Sequence, residues 1–184
     1  WCQGKDGVIQ INHPTNRGYS EALLTGFRHA IDRVHEGRLS ASDAGATVDA
    51  AGQHDPAELP GFLKVMEDEG LDVVWARRDF SLYPWLKRTG NRMMSIIGSF
   101  FAGFPFKDVE SGYCVFRIGA LEDALRYQSW DSRYSLSLTI AVALARLGYK
   151  ISNEPIASIK LYRSHTRGVD GVWDTLAAAN ACAR

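Results

Sequence analysis

The chain has 184 residues, enough for one domain with a real hydrophobic core. Its 21 Lys and Arg balance 21 Asp and Glu, so no net charge draws it to nucleic acid or another polyanion. Three scattered cysteines (Cys2, Cys114 and Cys182) exclude a disulfide framework or a Cys-based metal site, and no apolar run reaches the ~20 residues that span a bilayer. Reduced thiols and a cytoplasmic setting are expected.

Residues 8–12 alternate like a strand, and residues 13–18 are turn material in which Asn16 and Gly18 shape the backbone. Ser20 can cap a helix in which Ala22, Leu23, Gly26, Phe27, Ala30, Ile31 and Val34 recur at helical spacing. A strand over 46–49 then runs into Asp49-Ala50-Ala51-Gly52-Gln53-His54-Asp55-Pro56. Residues 60–69 read as a helix with Phe62, Leu63, Val65 and Met66 inward, and 71–76 as a buried strand. A loop over 77–83 carries Arg77 and Arg78, and Pro84 opens a helix to about Ala102, with Gly90 or Gly98 as points for a bend. Its aromatic residues and those just after it, Trp85, Phe100, Phe101, Phe104 and Phe106, read as core before lipid contact.

A polar turn over 108–112 precedes a strand over 113–117, a short helix over 119–127 and an apolar helix over 136–147 stopped by Gly148. The last strand spans 151–159, interrupted at Pro155, and is followed by basic loop material and a terminal helix over 172–183. Alternating strands and helices predict an α/β fold with a mostly parallel sheet flanked by helices. The polar stretch from Asp49 to Pro56 then falls at the carboxyl edge of the sheet, the usual ligand site of such folds.

This stretch closely resembles the signature of inverting glycosyltransferase family 2, especially the dolichyl- and polyprenyl-phosphate sugar transferases, which read Asp-Ala-Asp-Gly-Gln-His-Asp-Pro. Three further elements follow in order: Asn16-Arg17-Gly18 with Ala22 and Gly26, Asp108-Val109-Glu110-Ser111-Gly112-Tyr113, and Gly148-Tyr149-Lys150-Ile151 with Glu154-Pro155-Ile156 and Arg163. The resemblance covers nearly the whole chain. It implies a GT-A-like, Rossmann-related fold that here lacks the family's first two nucleotide-binding strands. Residues 1–184 are therefore expected to be one domain of a longer chain, or one completed by another polypeptide.

By the same resemblance, Asp49 contacts the nucleotide of a nucleotide-sugar donor, and Asp49 and Gln53 bind Mg²⁺ or Mn²⁺. Asp108 stands where an acidic group meets the acceptor, as a general base or as an orienting group if the acceptor is an ionised phosphate. Arg163 and Arg167, with His165, form a basic cluster suited to diphosphate or lipid phosphate; Arg77 and Arg78 are further phosphate candidates. Two departures stand out. Ala51 replaces the second acidic ligand, which leaves lost metal-dependent activity, compensation by Gln53, His54 or Asp55, and an engineered substitution as readings. The helix over 136–147 carries no early acidic residue, where the family often has one.

The reaction implied is inverting transfer of a hexose from a nucleotide-sugar to a polyprenyl or dolichyl phosphate, at the cytoplasmic face of a membrane. The alternative is a catalytically lapsed domain that binds nucleotide or serves as a scaffold. A nucleotidyltransferase would call for a glycine-rich phosphate loop after the first strand, and none is visible in the sequence.

Overall fold

The structure, a computed structural model, describes residues 7–49, 52–127 and 136–159. Six short strands are described: β1 (Ala44–Thr47), β2 (Val73–Trp75), β3 (Arg77–Arg78), β4 (Cys114–Arg117), β5 (Ile151–Ser152) and β6 (Ile156–Ala157). The helices are α1 (Tyr19–His35), α2 (Leu59–Asp68), α3 (Trp85–Ala102), α4 (Ile118–Tyr127) and α5 (Leu136–Arg146). Single turns of 3₁₀ helix occupy Pro56–Glu58 and Phe80–Leu82.

The main sheet has the order β1-β4-β2-β5. β4 runs antiparallel to both neighbours and β2 pairs parallel with β5, so three of the four strands point one way. Strand alternation sends Val73, Trp75, Cys114 and Phe116 to one face, where α1, α3, α4 and α5 build the larger core. Val74 and Val115 face the other way, onto Phe62 and Met66 of α2.

Each helix buries the stripe its spacing dictates. α1 turns in Leu24, Phe27 and Ile31, and Asn16 Oδ1 accepts from Gly18 N–H (2.9 Å) just before its first turn. α5 is buried almost all round because it lies between α3 and α4. α3 runs unbroken through both glycines; Gly98 serves close approach instead, since a Cβ there would stand 2.7 Å from Leu138 Cδ1 of α5. On the sheet, Gly45 lies opposite Phe116, whose ring would be 2.6 Å from an added Cβ.

Several expectations change. Residues 8–12 form no strand, and Val8, Ile9 and Ile11 are exposed. Their alternation is a local pattern, and a strand also needs a neighbour to receive its hydrogen bonds; no described strand pairs with them. The expected loop over 77–83 contains β3, which pairs with β6 in a second, parallel sheet. The expected last strand divides between the two sheets at Pro155, which has no N–H to continue a ladder. Leu63 and, more tellingly, Trp85 and Phe100 lie outside the core at 38%, 76% and 81% exposure, whereas Phe106 is buried and Phe101 and Phe104 pack against the core. The terminal helix over 172–183 lies outside the described residues.

Candidate functional site

The carboxyl ends of β1, β2 and β5 and the start of β4 converge on one edge of the main sheet. A polar cleft of about 310 Å³ opens there, walled by Asp49, Gln53 and His54 from the segment after β1, Arg78 from β3, and Glu110, Ser111 and Gly112 from the turn before β4. Tyr19, Tyr83, Ser137, Leu138 and Ile159 complete its lining.

One wall is fixed by neutral groups. Thr47 Oγ1 donates to Gly112 O (2.7 Å) and accepts from Cys114 N–H (3.3 Å), which joins β1 to the start of β4. Asp49 N–H donates to His54 Nδ1 (3.0 Å), so the ring proton sits on Nε2 and donates to Ser111 O (3.2 Å). The His54 ring stacks on Tyr113 at 4.5 Å between centroids, and the Tyr113 hydroxyl donates to Asp55 O (2.6 Å). Burial holds His54 below the usual imidazole range, against the opposing pull of its bond to Ser111 and of the Asp49 charge. His54 is thereby a neutral clamp between the two segments. Asp55 caps the following 3₁₀ turn, its carboxylate accepting from Ala57 N–H (3.0 Å). Both His54 nitrogens are thus engaged within the protein, and Asp55, with one carboxylate oxygen on its cap, does not line the cleft.

The opposite wall is fixed by charge. Arg78 Nε and Nη2 each donate to Asp108 at 2.7 Å, and the backbone N–H groups of Arg78 (2.9 Å) and Glu110 (3.2 Å) donate to the same carboxylate. The Asp108 side chain is 1% exposed and that of Arg78 15%. Burial works against the Arg78 charge, but the hydrogen bonds and negative charge of Asp108 outweigh it and raise the guanidinium above its ordinary value. The rings of Phe80 and Tyr83 lie 5.4 and 5.9 Å from Arg78 Cζ. Behind the pair, Asn153 uses its whole amide: Oδ1 accepts from the N–H groups of Lys107 (2.6 Å) and Asp108 (2.9 Å), and Nδ2 donates to Trp75 O (2.7 Å) and Asp108 O (3.1 Å).

Of the residues expected at a site, Asp49 and Gln53 share the cleft, and Asp108 stands behind it with both oxygens on Arg78. Arg77 turns elsewhere and donates to Glu154 O (3.1 Å); neighbouring residues of a strand point to opposite faces, and Arg78 is the one that reaches the cleft. Ala51, Arg163, His165 and Arg167 lie outside the described residues. Asn153 and the clamp role of His54 were missed. A polar residue ending an apolar strand was the available signal for Asn153.

Among the described residues no group of three or more His, Cys, Asp or Glu gathers to hold a metal. Asp49, Gln53 and Glu110 do line one cleft. That set suits a divalent cation that takes most of its oxygens from water and diphosphate. Ser111 Oγ is buried beside the same cleft with no hydrogen-bond partner, a polar atom suited to a ligand oxygen. No helix among the described residues is long and apolar enough to cross a membrane.

The family model described as Glycosyl transferase family 2 matches residues 1–125, a span that holds both walls of the cleft. The chain belongs to glycosyl transferase family 2. It is 28% identical over 168 residues to the UDP-N-acetylglucosamine–dolichyl-phosphate N-acetylglucosaminyltransferase of Methanococcus voltae, covering 89% of this chain and 64% of that one. It is 27% identical over 164 residues to the undecaprenyl-phosphate mannosyltransferase of Micrococcus luteus, covering 85% and 63%. An uncharacterized protein of Methanocaldococcus jannaschii is 29% identical over 171 residues, covering 90% and 67%. This family 2 chain thus spans about two thirds of the length of the curated relatives it matches, and its α/β architecture with a mixed sheet accords with a GT-A-like fold.

Proposed function

We propose that this family 2 chain carries the reaction cleft of an inverting sugar transferase that moves a hexose from a nucleotide-sugar to a polyprenyl or dolichyl phosphate. The observation that carries the reading is the facing of Asp49 and Gln53 on one wall by the Asp108-held Arg78 on the other. An acidic, oxygen-rich wall and a fixed guanidinium together suit a diphosphate leaving group and an anionic acceptor. The names of the two characterised relatives supply the acceptor class.

In this reading Asp49, Gln53 and Glu110 hold Mg²⁺ or Mn²⁺, which supplies counter-charge to the departing diphosphate. Nε and Nη2 of Arg78 bond Asp108, and the guanidinium fork held this way lines the cleft, where it meets phosphate oxygen. Asp108 acts as a positioning residue for that fork. An acceptor phosphate is already ionised and needs no general base, so the buried pair removes no step from the reaction. The acceptor oxygen forms a bond to the anomeric carbon as the bond from that carbon to the diphosphate oxygen breaks, with inversion. Ser111 Oγ, Gly112 and the Tyr19 hydroxyl line the cleft beside that path. The reaction belongs at a membrane surface, since its acceptor is a lipid.

Ala51 favours a second reading, a lapsed domain that keeps nucleotide affinity and has lost transfer. Calorimetric titration of UDP and GDP, with and without Mn²⁺, on the full polypeptide and on Ala51→Asp separates the two. Metal-dependent binding by the parent supports the transferase. Binding indifferent to metal in the parent, made metal-dependent by Ala51→Asp, supports the lapsed domain. No nucleotide binding by either protein, extended to the other bases, overturns both.

A further inference from the structure

The outer face of α3 is apolar where a soluble helix is polar. Trp85, Leu86, Met93, Ile96 and Phe100 are all exposed, between 57% and 81%. At 3.6 residues per turn they fall within an arc of about 100°. Met94, Ser95, Gly98 and Ala102 occupy the other side and are buried. The helix therefore buries one stripe in the protein and presents a second, bulkier stripe outward. Contiguous exposed apolar surface of this kind marks an interaction site.

Charge selects the partner. α3 contains Lys87, Arg88 and Arg92 and no Asp or Glu. Arg88 and Arg92 are exposed, and the helical angle places them along one border of the apolar stripe. Aromatic and aliphatic side chains bordered by arginines, on a helix unable to cross a bilayer, match a helix that lies in the plane of an anionic lipid surface.

Position ties this helix to the cleft. Tyr83, two residues before α3, lines the cleft, and so does Leu138, which meets α3 at Gly98. We infer that the outer face of α3 docks this protein on an anionic membrane, with Trp85, Ile96 and Phe100 entering the headgroup boundary, and so brings a lipid-borne phosphate to the cleft. The role in delivering acceptor rests on the sugar-transferase reading above.

The test uses the full polypeptide with sedimented vesicles of phosphatidylcholine alone or of phosphatidylcholine and phosphatidylglycerol in equal parts. The parent is expected to sediment with the anionic vesicles and to release as salt rises. Ile96→Gln/Phe100→Gln should lower the partition coefficient about tenfold or more. Arg88→Gln/Arg92→Gln should weaken binding and flatten its salt dependence. Brominated acyl chains should quench the parent more than Trp85→Phe. A parent that stays in the supernatant, or an Ile96/Phe100 variant of unchanged circular dichroism that binds like the parent, overturns the docking. So does an apolar variant that converts a dimer to monomer without changing vesicle binding, since the face then joins two copies. Nucleotide titration on the same samples keeps the two readings apart. Nucleotide affinity without vesicle binding removes the docking alone, and vesicle binding without affinity for any nucleotide leaves the docking and removes the transferase reading.

Discussion

The two walls of the cleft reach rigidity by opposite means. The Asp49–His54 wall is held by neutral groups, a histidine clamped between a backbone N–H and a carbonyl and stacked on a tyrosine. The Arg78 wall is held by a buried ion pair with a complete set of hydrogen bonds and an asparagine behind it. A neutral clamp costs little to bury but fails when its ring takes a second proton. An ion pair is expensive to bury and, once built, punishes the removal of either partner.

The largest effect should follow from breaking the charged wall. Asp108→Ala leaves Arg78 with its partner gone, and urea denaturation should show a loss of about 3–5 kcal/mol. Replacing both residues by apolar ones, Arg78→Met with Asp108→Leu, should cost clearly less. If the double replacement costs as much as the single one, the contrast between the walls is wrong.

Asn153→Leu comes next. It strips partners from two N–H groups and two carbonyls, at about 2–4 kcal/mol. Because three of those groups, the Lys107 N–H and the Asp108 N–H and carbonyl, belong to the segment that carries Asp108, Arg78→Ala and Asn153→Leu should be non-additive in a double-mutant cycle.

On the neutral wall, His54→Phe keeps the stack on Tyr113 and removes both hydrogen bonds, at about 1–2 kcal/mol at neutral pH. Its pH dependence sharpens the comparison. Burial lowers the folded pKa of His54 below the unfolded value near 6.5, so the unfolded chain binds more protons in the interval between them. Stability from this group is present above the unfolded pKa and lost as pH falls through the lowered one. His54→Phe should flatten that part of the stability profile, and an unchanged slope would remove His54 as its source.

The smallest change is Gly112→Ala. Gly112 has φ +69°, and an added Cβ would lie 3.3 Å from the Tyr19 hydroxyl, so about 1 kcal/mol should be lost. A larger loss would mean that this turn, more than His54, governs the neutral wall.

The sequence disclosed the helices well, because α1, α2 and α4 each need one buried stripe and their spacing states it. It also disclosed the edge of the sheet to which Asp49 and Gln53 are delivered. Pairing was harder to read. Residues 8–12 have strand alternation without a neighbour, and β3 sits in what reads as a loop because two residues carry no period. The choice between Arg77 and Arg78 turns on the phase of that strand, which composition does not encode. Trp85 and Phe100 failed as core residues because aromatic side chains at helical spacing define a face, and only the packing of α3 on α5 says which way that face looks.

Cys114 lies behind Thr47 at the seam of β1, β4 and β2, buried, with burial pushing its thiol up to about 11. Sealed and almost wholly protonated, it is a poor nucleophile as long as the seam stays shut. Its alkylation, resolved from Cys2 and Cys182 by peptide mapping, is therefore a clock: each modified molecule records a moment when the strands under the cleft came apart. Slower ticking with nucleotide present would register ligand binding as a change in breathing rate, with no assay of sugar transfer at all.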